Sequence, residues 1–233
     1  FADDVLDVAA CVFRILIAIR KNTHNSHVYA STNAFIGTAF LTSYVFMFCM
    51  MMSGLPAQPV PVTIQDTTVI IGESKASELL EQGFTFEDKG ANSPITNPKN
   101  DHFYYGQLLE IKREDQSYGF MTLTPTGKDT DQLKNCVITY YRTPKDAHQL
   151  QGISINHVSL ANLKLQDFQT RKLIDIFEVN PADYNVAETD SNYILTIQTA
   201  DYDLWKRYRI EAKFNSDGSI DSYGVRAQHS MWE

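Results

Sequence analysis

The sequence predicts an α+β protein: N-terminal membrane helices followed by an extracytoplasmic domain of two helix-plus-antiparallel-sheet repeats. Three observations carry this. Residues 34–55 form an apolar run without Asp, Glu, Lys or Arg. Residues 56–61 hold three prolines. A pattern of strand, short helix, loop and three strands then occurs twice.

The first 21 residues, FADDVLDVAACVFRILIAIRK, place Asp3, Asp4 and Asp7 at one end and Arg20 and Lys21 at the other. Arg14 interrupts their apolar stretch, so an interfacial helix with its basic residues among headgroups fits, as does a first span. The reading for 1–33 is therefore a membrane-associated helix and a polar loop. Residues 34–55 read as a transmembrane helix, because about 20 apolar residues at ~1.5 Å rise cross a ~30 Å hydrocarbon core. Thr38, Thr42 and Ser43 can return their hydroxyls to the helix backbone. Arg14, Arg20 and Lys21 precede the span, and no Lys or Arg follows until Lys75. Basic flanks stay cytoplasmic, which puts everything after Leu55 outside the cell membrane. A cleaved signal peptide has the same general form, but its apolar core is usually ~7–15 residues.

Pro56-Ala-Gln-Pro59-Val-Pro61 reads as an extended stalk, since proline fixes φ and forbids helix. The first unit, 62–145, opens with a strand at Val62–Ile71. A helix at Ser74–Gln82 follows, with Ser74 as its cap and Gly83 at the left-handed stop. Phe84 can fold back on Leu79. After a loop at 85–101 come strands at His102–Arg113, Tyr118–Thr124 and Leu133–Arg142; Phe103, Tyr105, Leu109 and Ile111 share one face of the first. The second unit, 153–233, repeats the order: strand Ile153–Leu160, helix Thr170–Phe177, loop Val179–Asn192, then strands Tyr193–Thr199, Leu204–Phe214 and Ile220–Gln228. Asn215-Ser-Asp-Gly218 marks a hairpin between the last two.

The segment Ile71–Phe84, IGESKASELLEQGF, resembles the opening of outer domains in membrane-anchored or lipoprotein-type proteins of Gram-positive bacteria. The element order is similar to the tandem repeats of β-lactamase inhibitory protein and of small barrel-assembly lipoproteins. That resemblance covers the outer domain only, and it implies a binding or scaffolding module without a catalytic site. In the second unit Glu178 stands where a stop glycine is expected.

Composition narrows the partners. The chain carries 28 acids against 20 bases, a net charge of −8. The first 21 residues are neutral, so the whole excess lies beyond the span. An acidic outer domain argues against nucleic acid and anionic lipid surfaces as ligands. Of Cys11, Cys49 and Cys136, only the last is in the outer domain, which excludes an internal disulfide there. No phosphate-binding glycine loop, nucleophile elbow or zinc motif occurs, so neither cofactor nor metal is expected. His24 and His27 have no third ligand nearby. Asp129-Thr-Asp131 and the Asn215 turn lack the later acids of a calcium loop.

One constellation stands out, TADYDLWKRYR at Thr199–Arg209. Strand alternation puts Tyr208 and Ile210 on the core side. It puts Asp201, Asp203, Trp205, Arg207 and Arg209 together on the other. Trp and Arg are favoured anchors of protein interfaces, so these five are the candidate binding residues. The function implied is a membrane-tethered module contacting an envelope protein or wall component. An accessory subunit of a membrane complex and an extracellular hydrolase using dispersed carboxylates are the alternatives.

Overall fold

The computed structural model describes residues 12–17, 20, 27–53, 56–97, 106–127, 129–145, 150–198 and 206–228. The chain divides into two compact units, Phe1–Met52 and Ser53–Glu233. In the first, residues 12–17 are helical, and a long helix α1 spans His27–Ser53. It starts seven residues ahead of the apolar run, because nothing between His27 and Asn33 breaks a helix. Within it Ala34–Met51 is the one helical stretch among the described residues long and apolar enough to cross a membrane, and it is not buried by the rest of the chain. The Thr38 hydroxyl donates to the Ala34 carbonyl at 2.8 Å, so this polar group is satisfied inside the helix.

The second unit is mostly antiparallel sheet. Strands β1 (Pro61–Ile64) and β2 (Thr67–Ile70) form a hairpin. The single strand expected at Val62–Ile71 is therefore two. Gln65 takes a positive φ of 57° at the turn, where no Asn or Gly advertised it. Asp66 next to it accepts from Arg113 Nη1 at 2.6 Å, and that guanidinium holds its carboxyl below the usual range. Helix α2 (Ala76–Glu81) follows. Its cap is Lys75, whose backbone N–H donates to the Glu78 carboxylate at 2.8 Å. Ser74 is instead used one turn back, accepting from Ile70 N–H at 3.1 Å. Gly83 has φ +82°, and Phe84 N–H donates to the Leu79 carbonyl at 3.1 Å. This is the Schellman ending the sequence indicates.

Short strands β3 (Thr85–Phe86) and β4 (Pro94–Thr96) occupy the expected loop. Strands β5 (Gln107–Arg113), β6 (Gln116–Thr124), β7 (Thr130–Gln132) and β8 (Val137–Arg142) come next. The ring positions Phe103 and Tyr105 lie outside the described residues. A second hairpin, β9 (Ile153–Ile155) and β10 (Val158–Ser159), turns at Asn156 and His157, both with positive φ. Instead of one helix at Thr170–Phe177 there are two short ones, α3 (Leu165–Thr170) and α4 (Leu173–Ile176). Arg171 is extended, at φ −122° and ψ 153°, which separates them. Asp167 accepts from Lys164 N–H at 2.9 Å, the same capping contact as Glu78 makes. At the end of α4, Glu178 adopts φ +52° without being glycine, and Val179 N–H reaches the Ile174 carbonyl. Strands β11 (Tyr184–Glu188), β12 (Asn192–Ile197), β13 (Arg207–Phe214) and β14 (Ile220–Gln228) complete the unit.

Two main sheets result. A four-stranded sheet runs β10-β9-β1-β2, and an eight-stranded sheet runs β11-β12-β13-β14-β8-β6-β5-β3. In the large sheet both halves run inward along the chain, β3-β5-β6-β8 and β11-β12-β13-β14, while β4 and β7 pair separately with each other. One hydrophobic core joins both sheets to the helices. Phe168 of α3 is its aromatic hub, with ring centroids 5.3 Å from Tyr193, 5.1 Å from Phe214 and 6.2 Å from Tyr223. The proline segment is no free spacer: Val60 is 1% exposed and Ala57 packs on the core. Cys136 is buried, and burial raises its thiol to about 11.

Because several rings close on Phe168, Phe168→Ala should cost ~3–5 kcal/mol. Chemical denaturation of the full chain in detergent, followed by near-UV circular dichroism, measures it. A loss under ~1 kcal/mol would mean the hub does not hold the core.

Candidate functional site

The eight-stranded sheet turns one face to the core and leaves the other half-buried. On β13, Tyr208 and Ile210 are buried, while Arg207 and Arg209 lie on the opposite face by alternation. Asp201, Asp203 and Trp205 fall outside the described residues. Arg207 Nε donates to the Gln198 carbonyl at 2.9 Å, which ties it to the end of β12.

Register then builds a site around Arg209. One row across the sheet reads Thr196–Arg209–Arg226–Tyr140–Thr122–Leu108. The adjacent row reads Ile194–Glu211–Gly224–Arg142–Phe120–Glu110. Arg226 lies over the Tyr140 ring at 4.6 Å and Arg142 over Phe120 at 4.9 Å. Gly224 leaves the space that Tyr140 fills: a Cβ there would meet its hydroxyl oxygen at 3.1 Å. Glu211 is the carboxylate set among these arginines. It lies 2.8 Å from Arg209 Nε and 3.7 Å from Lys213 Nζ, and its side chain is 14% exposed.

Electrostatics at this centre are unbalanced. Arg209 and Arg226 are direct cross-strand neighbours, and like charges placed so are destabilising. Glu110 is engaged by Lys112 at 2.8 Å, so it does not neutralise them. Burial raises the Tyr140 phenol, with Glu211 adding to the effect and Arg142, Arg226 and Arg209 opposing it. Tyr140 therefore stays a neutral hydroxyl.

Alternation within β13 identifies Arg207 and Arg209. Arg142, Arg226, Tyr140 and Phe120 escape a one-strand reading, since their grouping depends on pairing across strands. The remaining signal was an arginine two residues from an aromatic on a polar face, as in Tyr140-Tyr-Arg142. A separate groove of about 210 Å³ lies between Pro56–Pro59 and residues 178–183. Among the described residues no cluster of His, Cys, Asp and Glu could hold a metal ion. The chain matches no protein-family model, no curated protein and no solved structure.

Removing the acid at the centre exposes the imbalance. Glu211→Gln should destabilise the protein by ~1–2 kcal/mol at low salt. Part of that loss should return in ~1 M salt, where the Debye length is ~3 Å. Denaturation midpoints at both ionic strengths measure this, and a salt-independent loss would argue against repulsion among the arginines.

Proposed function

We propose that this chain is a membrane-tethered, extracytoplasmic binding module that docks a partner protein through the open face of its eight-stranded sheet. The single observation that carries the reading is the arginine–aromatic group of Arg209, Arg226, Arg142, Tyr140 and Phe120 at the middle of that face. Arg and Tyr are favoured at interface centres because each supplies a large, oriented contact surface. Flat sheet surfaces of this kind offer area rather than an enclosed substrate site.

The tether rests on α1, whose apolar length suits one span, with the basic flank at Arg14, Arg20 and Lys21 fixing its direction. The domain reading rests on symmetry of element order. Residues 61–142 and 153–228 each give a hairpin, a helix capped by Lys and an acid three residues on, and strands that build half of the large sheet. We read these as two copies of one unit, consistent with the likeness to tandem inhibitory-protein repeats.

Protease added to intact cells should digest residues beyond Leu55 and leave a membrane-held fragment containing α1. Recovery of a soluble protein that begins after Ser53 would replace the anchor with a cleaved leader. For docking, Thr122→Arg places bulk on the open face next to Tyr140. Crosslinking in membranes should capture a defined partner with the wild type and lose it with Thr122→Arg. Equal capture by both would move the interface elsewhere.

A further inference from the structure

We propose that the open face recognises carboxylate groups on an acidic segment of the partner protein; this rests on the docking reading above. The guanidiniums of Arg142 and Arg226 are laid flat on Phe120 and Tyr140. Stacking fixes the plane of each and leaves its N–H edge as the part that faces a ligand. Neither guanidinium has a carboxylate partner among the described residues. Arg226 Nε is shielded from water without a hydrogen bond, whereas Arg209 Nε is paired with Glu211 at 2.8 Å. A buried donor left unmade is costly, and a planar N–H fork matches a carboxylate in two-point contact. A carboxylate bound at the free edges of the stacked Arg142 and Arg226 guanidiniums would offset the positive charge crowded beside Arg209.

Charge selects the occupant. The patch is basic within a chain of net charge −8. An extended polyanion, such as a nucleic acid or an anionic bilayer, would meet acidic surroundings beyond the patch. An acidic segment no longer than the patch meets the patch alone, since fields fade over ~8 Å at physiological salt. Neighbouring strands lie ~4.8 Å apart, so β13, β14, β8 and β6 together offer a short peptide a matching length.

Full-length protein in neutral-lipid nanodiscs, titrated against fluorescein-labelled hexaglutamate and hexaglutamine, tests this by anisotropy. Hexaglutamate should bind, weaken steeply with salt, and lose about tenfold in affinity for each of Arg142→Gln and Arg226→Gln. Hexaglutamine should not bind. The paired Lys variants keep the charge, so they report on the planar fork: they should bind more weakly than wild type while keeping its thermal midpoint. Absence of hexaglutamate binding, equal binding of the two peptides, or undiminished binding by folded Gln variants would each overturn the proposal. So would preference of the same arginines for phosphatidylglycerol vesicles. If Thr122→Arg abolishes partner capture while the Gln variants retain it, the docking reading stands and the carboxylate reading fails. If both leave capture intact, the docking reading fails as well.

Discussion

The large sheet of the second unit depends on one seam, the pairing of β14 with β8. Only Gly224↔Arg142, Val225↔Tyr141 and Arg226↔Tyr140 make it, yet it turns two four-stranded halves into one sheet. Thr143 reinforces it from a fully buried position. Its N–H donates to the Tyr223 carbonyl at 2.9 Å, and its hydroxyl oxygen accepts from Tyr223 N–H at 2.9 Å. A matching seam joins the hairpins of the small sheet, where β1 pairs with β9. Cut at either place, each half would expose strand edges and the flank of a shared core.

The same seam explains where chemistry collects. Residues that face away from the core at a sheet's centre have neighbours on both sides, so large side chains there are half-desolvated by each other. Electrostatic interactions are stronger in such a setting than at an edge. Glu211 and the three arginines around it share that setting, and the aromatic rings beneath them supply an apolar floor. The glycine at 224 is part of this arrangement, because its missing side chain lets a phenol lie over the backbone.

Local signals were legible in the sequence and long-range ones were not. Gly83 and Phe84 announced the end of α2 because a left-handed stop and its hydrophobic contact lie within one turn. The Ser74 cap was misplaced by one residue, since Lys75 offers no side-chain acceptor and the backbone contact comes from Glu78. Turns at Gln65 and at Asn156–His157 carried no glycine, so their hairpins read as single strands. The break between α3 and α4 comes at Arg171, whose extended backbone no residue type in its neighbourhood announces. Alternation placed Arg207 and Arg209 on a face, but which side chains flank them is fixed by register between strands far apart in sequence. That register is invisible to a single-strand reading.

Cys136 has one more consequence. It is the only cysteine beyond Cys49, it is buried, and burial pushes its thiol up to about 11. Thiolate is the form that oxidants and disulfides attack, and at neutral pH almost none is present. Buried and held in the thiol form, Cys136 is a poor target for oxidants and for disulfide exchange.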